Sequence, residues 1–283
     1  DALAGLTLHQ CSHQIGHRYH SRNRGANYRP RPEIPAARVL DVRQLPSSVM
    51  FTARSLLTYP ESMSDIDLQT IEAAEQLIRQ AQWRVARERA LPLLAGPTTA
   101  LRARAVLANA SMQLGDFDDA VVHFRVLSAA QPSHAGIARG LSMALNNSGS
   151  RHLLEHDREQ AESRYREALQ VDSTNATAAF NLAALLQARR DFAAAASTYL
   201  LCERFSPGNL EARLQAAVCE RARGAVDTAR TLLTALRPEQ CGRDLAHRIG
   251  MEWMQHGDTD LARRFLAVGA TDATPTQRLQ WAR

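Results

Sequence analysis

The chain has 283 residues, 45% of them hydrophobic, enough for one or two domains with cores of their own. No apolar run approaches the roughly 18 residues of a membrane span, and few aromatics (5%) beside abundant alanine favour close helix packing over a sheet. The formal net charge is +5 and all 34 basic residues are arginine, which reads as coding bias and not as special arginine chemistry.

Residues 1–66 read as an irregular basic arm. Between Asp1 and Glu33 there is no acidic residue, while Arg18, Arg22, Arg24, Arg29 and Arg31 alternate with Tyr19 and Tyr28. Pro30, Pro32 and Pro35 exclude a continuous helix there and favour extended chain. His9, His13 and His17 recur every fourth residue, a spacing that on a helix makes one ridge able to chelate a divalent metal. With no acidic ligand nearby, a polar helix face is the plainer reading. The arginine–tyrosine run is a second-choice grip for nucleic acid, with arginine on phosphate and tyrosine on bases.

From Asp67 a period takes hold. Its clearest unit is 176–209, where Leu182-Ala183, Leu186, Ala195, Tyr199, Cys202 and Pro207 are spaced as two closely packed helices ended by a proline. The small residue recurs as Ala86, Ala120, Ala161, Ala195, Ala229 and Ala262. A larger one follows four positions on as Phe124, Tyr165, Tyr199, Leu233 and Leu266. The units are 67–100, 101–134, 135–175, 176–209, 210–242 and 243–276, and 277–283 opens a capping or continuing helix. Gly115, Gly224 and Gly257 sit where a turn between paired helices favours positive φ. The third unit is longer, with the extra residues placed at SRHLLEH, between Gly149 and Ala161, as an extended helix or an enlarged turn.

This pattern resembles the tetratricopeptide repeat. The resemblance implies an all-α solenoid of helical hairpins, a right-handed superhelix, behind the basic arm. It also implies a concave face lined by the first helix of each pair. Mapped onto this chain, that face includes Arg102, Asn109, Gln113, Arg139, Asn146, Asn147, Phe180, Asn181, Gln215 and His247. Asn181 and Gln215 hold equivalent positions in successive units, and amides pair with both N–H and C=O of an extended peptide.

Other chemistry is thinner. His152-Leu-Leu-Glu155-His156 matches the HxxEH spacing of inverted zinc peptidases, but no third ligand or cleft is identifiable, so surface histidines are the plainer reading. Ser142 lacks the context of a nucleophile elbow and reads as packing. Cys11, Cys202, Cys219 and Cys241 show no CxxC spacing and leave the compartment open between cytoplasm, the preferred reading, and periplasm. The expectation is a non-catalytic, bacterial-type scaffold or adaptor holding a protein segment, without metal or cofactor. The alternative is the substrate-presenting part of a larger transferase or hydroxylase whose catalytic domain lies outside this chain.

Overall fold

The computed structural model of the chain describes residues 65–96 and 98–270. Among them are twelve α-helices in six antiparallel pairs. The first helices are α1 (Asp65–Arg79), α3 (Ala100–Leu114), α5 (Ala135–Leu154), α7 (Ala176–Ala188), α9 (Leu210–Ala222) and α11 (Arg243–Gln255). Their partners are α2 (Trp83–Ala90), α4 (Phe117–Ala130), α6 (Arg158–Val171), α8 (Phe192–Phe205), α10 (Val226–Thr234) and α12 (Thr259–Ala270). The architecture is the all-α hairpin solenoid that the tetratricopeptide resemblance implies. Residues 1–64 of the basic arm, with His9, His13, His17 and Cys11, and residues 277–283 lie outside the described residues.

The local causes are visible in the sequence. Asp157, Asn175, Asp191 and Asn209 cap α6, α7, α8 and α9, each side chain accepting a backbone N–H three residues on. In every hairpin the turn holds one residue at positive φ: Ala81, Gly115, His156, Arg190, Gly224 and Gly257. Gly115, Gly224 and Gly257 adopt it freely, whereas Ala81, His156 and Arg190 bring a Cβ into the left-handed region. Ala86, Ala120, Ala161, Ala195, Ala229 and Ala262 are all wholly buried, so paired helices approach closely on a methyl group. Phe124, Tyr165, Tyr199 and Leu233 then fill the space one turn along.

Curvature follows from unequal contact. At three of the five joints first helices of successive hairpins touch one another, α1 with α3, α5 with α7 and α9 with α11, whereas no pair of second helices meets as closely. The first helices therefore line the inner face.

The third hairpin takes the extended helix of the two alternatives, not the enlarged turn, and moves the added residues. The turn after α5 is no longer than the others, and the seven extra residues lie within α5, which runs 20 residues against 13 for α7 and α9. Seven residues are close to two helical turns, so the helix lengthens without rotating its faces. That conservation of face is why the extra residues seemed to belong near Gly149–Ala161. A Cβ on Gly149 would stand 2.8 Å from Tyr165 Cε1 and 3.2 Å from the Ala161 carbonyl oxygen. Gly250 stands in the same relation to Leu266 and Ala262, with a Cβ 2.7 Å from Leu266 Cγ. Gly149, not Ser142, is thus the crossing residue of the third hairpin. Ser142 packs further along, donating to the Ala168 carbonyl at 2.8 Å.

Candidate functional site: an amide row on the inner face

The left-handed turn residues give a common ruler. Nine residues before each stand Glu72, Val106, Asn147, Asn181, Gln215 and Arg248. Asn147, Asn181 and Gln215 are therefore equivalent and 34 residues apart, and Asn146 is the register mate of Phe180. Sequence spacing had matched Asn181 with Gln215 but had displaced Asn147 by two turns.

These side chains bond one another across hairpins. Asn181 Nδ2 donates to Asn146 Oδ1 at 2.9 Å, and Asn146 Nδ2 donates to Asn147 Oδ1 at 3.1 Å. Ser150 Oγ joins the group, donating to the Asn146 carbonyl at 3.1 Å and lying 3.1 Å from Tyr165 OH. Further along, Gln187 Nε2 donates to Gln215 Oε1 at 3.1 Å, and Gln215 Nε2 donates to Glu211 Oε1 at 3.0 Å. Tyr199 OH donates to Gln187 Oε1 at 2.8 Å, and Arg248 forks onto Glu211 at 2.7 and 2.8 Å. One polar chain thus runs from the fourth hairpin to the sixth. Each of Asn181, Gln215 and Arg248 reaches back to the preceding first helix.

The three row amides and Asn146 beside them are enclosed: Asn146 0%, Asn147 1%, Asn181 2% and Gln215 8% exposed. Asn147 Nδ2 has no hydrogen-bond partner among the described residues. Leaving a buried amide donor unpaired costs on the order of 1–3 kcal/mol, so this group stands out against its satisfied neighbours.

The other mapped residues divide. Arg102 is buried and its Nε donates to Glu75 Oε1 at 2.8 Å, tying α3 to α1. Its charge is engaged in that joint. Asn109 folds back on its own helix, donating to the Ala105 carbonyl at 2.9 Å. Phe180 is buried edge-on to Tyr199, 5.3 Å between ring centres. Gln113 and His247 are half-buried, and Arg139 is exposed near the start of α5.

His152 and His156 do not share one face of a helix. His152 lies in the last turn of α5, 3.9 Å from Glu155, while His156 lies beyond the helix at φ 65°. Among the described residues no group of three or more His, Cys, Asp or Glu is placed to hold a metal ion.

The protonation pattern is that of a structural network. Burial pushes the Tyr165 phenol up to about 12, moderated by its bond with Ser150, and raises Tyr199 through burial and the neighbouring Cys219 and Glu211. Burial likewise pushes the Cys219 thiol up to about 12, far from a reactive thiolate. Beside the row, burial alone would raise Asp118, but the Ser148 hydrogen bond and the Arg151 charge hold it below the usual range.

Gln187, Ser150, Glu211 and the two tyrosines were not anticipated. Spacing does not point to them, because the partners sit at different places on their helices: Asn146 stands ten residues before its turn residue and Gln187 three before its own.

No family model matches the sequence, and no curated protein does. Among solved structures the fold is similar to MamA, at 14% identity over 61% of this chain and 90% of that one, TM-score 0.46. It is also similar to a tetratricopeptide repeat protein from Parabacteroides merdae, at 15% identity over 83% and 88%, TM-score 0.38. The TPR2AB domain of yeast Sti1, solved as a pHSP90 complex, aligns at 14% identity over 72% and 86%, TM-score 0.31. No described helix is long and apolar enough to cross a membrane.

Proposed function

We propose that the inner face holds an extended segment of a protein partner and that the chain is a non-catalytic interaction scaffold. The observation that carries this reading is the row Asn147, Asn181, Gln215, one amide per hairpin at one register. An amide offers both a donor and an acceptor, so a row of them reads a peptide backbone and leaves sequence choice to the side chains around it. The unpaired Asn147 Nδ2 takes a carbonyl of such a segment once α5 and α7 part to admit it, because the side chain is enclosed in the closed solenoid. Arg139, exposed at one end, adds a preference for acidic peptides that fades with salt.

The test uses peptides selected from a random library on the full chain and titrated by calorimetry. Asn181→Ala and Gln215→Ala each remove a neutral hydrogen bond worth about 0.5–1.5 kcal/mol, so each weakens binding up to roughly tenfold. Unchanged affinity in the double variant, with helicity intact, rejects the row as the contact surface.

A further inference from the structure

The six hairpins are not joined alike. From the first to the fifth, each second helix packs directly on the next first helix, but α10 and α11 barely touch. Residues 235–242 intervene, with a short 3-10 turn at Pro238–Gln240, and Leu236 and Cys241 fill the gap. Arginines supply three polar ties across this joint. Arg221 forks onto Glu252 at 2.5 and 3.2 Å, Arg230 donates to the His256 carbonyl at 3.3 Å, and Arg248 holds Glu211.

Under this joint lies an odd histidine. The His256 side chain is 1% exposed, yet neither ring nitrogen has a hydrogen-bond partner among the described residues. Its Nε2 stands 3.8 Å from Glu252 Oε1, and its ring lies edge-on to Trp253, 6.0 Å between centres. A neutral imidazole in this place wastes one donor and one acceptor. The charged groups facing it are Glu252 from its own helix, Arg221 from α9 and Arg230 from α10. On the α12 side, Asp258 is committed to capping, accepting from Leu261 N at 3.0 Å.

We propose that the joint between the fifth and sixth hairpins is an acid-released latch, in which a proton on His256 draws Glu252 away from Arg221 and frees the sixth hairpin. A protonated ring has two donors and one carboxylate within reach, and that carboxylate is the one Arg221 holds. Sharing it weakens the fork, while two nearby guanidinium groups repel the new charge. With α10 and α11 scarcely in contact, the hairpins are then held only by the apolar cluster around the 235–242 connection, in which Leu214 and Leu233 meet Ile249 and Trp253.

The sign follows from which state binds the proton better. Burial, reinforced by Arg221 and Arg230 against the opposing pull of Glu252, holds His256 below its ordinary 6.5 in the closed joint. An opened joint returns the ring to that ordinary value. The latch is thus intact above about pH 6.5 and weakens as pH falls below it, opening up to about tenfold more per unit for one proton. Release takes Arg248 and His247 off the end of the inner face. The latch stands whatever that face binds.

Hydrogen exchange of the full chain at pH 7.5, 6.5 and 5.5, corrected for intrinsic chemistry, tests it. Protection in 243–270 falls up to about tenfold per unit below pH 6.5, while α7 and α8 keep theirs. His256→Gln removes the acid dependence, and Glu252→Gln lowers protection of 243–270 already at pH 7.5. Loss spread evenly over six hairpins, acid sensitivity persisting in His256→Gln, or full protection in Glu252→Gln overturns the latch. Should His256→Gln fail to fold, titration of the His256 ring by NMR in the unaltered chain decides. A midpoint at or above 6.5 overturns the proposal.

Discussion

Where α5 meets α7 the polar contacts across the joint run amide to amide. Where α9 meets α11 they run from arginine to carboxylate, and the same register position supplies both, as Asn181 in one and Arg248 in the other. The first joint is closed from water, with every residue from 140 to 150 buried. In the second, the Arg221 and Arg248 side chains are 34% and 46% exposed. Enclosed neutral bonds are indifferent to salt and to pH near neutrality. Exposed ion pairs are worth about 0.2–1 kcal/mol each and are screened. One backbone plan therefore carries a rigid middle and a tunable end, and the choice is made by a single side chain per hairpin.

The sharpest way to break the rigid joint is through its crossing glycine. Gly149→Val drives a branched side chain against the Tyr165 ring and the Ala161 carbonyl, both fixed in place. The expected loss is the upper part of the roughly 1–3 kcal/mol of an overpacked core. Gly250→Val at the equivalent crossing meets the Ala262 carbonyl just as closely, but its side-chain neighbour is the half-buried Leu266, more able to shift than the fully buried Tyr165 ring, and it loses less. Urea denaturation of the two variants checks the order. Equal losses would mean that the two hairpins are packed alike.

Alkali separates the joints from the other side. The buried Tyr165 phenol is neutral, and its unfolded counterpart ionises near 10.0 against about 12 when folded. Its contribution is whole below pH 10 and is lost as pH climbs from 10 to 12, about 2–3 kcal/mol for two units. Burial raises Tyr199 in the same direction. In the sixth-hairpin joint, Arg221 is raised by its bond to Glu252 and keeps its charge throughout. Alkali therefore loosens the third and fourth hairpins first, and acid the sixth. Comparing the urea midpoint of the native chain and Tyr165→Phe between pH 9 and 11 tests this. The expected result is a flatter profile in the variant.

Much of the fold was legible because helix pairs repeat their small residues. Ala86 to Ala262 name the crossings directly, and the turn glycines name the left-handed positions in three hairpins. The third hairpin misled because an insertion of about two turns restores the facing of a helix, so two registers, one through Ser142 and one through Gly149, fit the same residues. Only the turn at His156 separates them, and a histidine gives no hint of positive φ. The site was half legible for a related reason. Spacing identifies which residues share a face, but not whether a neighbour has already engaged them. Arg102 looked like a groove cation until Glu75, on the preceding hairpin, came within 2.8 Å.

The finest comparison is within the row itself, between amides that hold hairpins together and the one with a donor left over. Asn181→Ala removes a bond across the joint and a contact proposed for a peptide, so stability and binding fall together. Asn147→Leu separates the two. It removes a buried donor that has no partner among the described residues, which favours the folded chain, and it takes the acceptor from Asn146 Nδ2, which disfavours it. Two opposed effects, each on the order of 1 kcal/mol, leave stability within about 1 kcal/mol of the native chain. Binding has no such compensation, because leucine offers a carbonyl nothing. The expected outcome is an unchanged urea midpoint with affinity for the selected peptides lower by up to roughly tenfold. A stability loss as large as that of Gly149→Val would show instead that Asn147 is a structural member of the joint, its second donor satisfied within the solenoid.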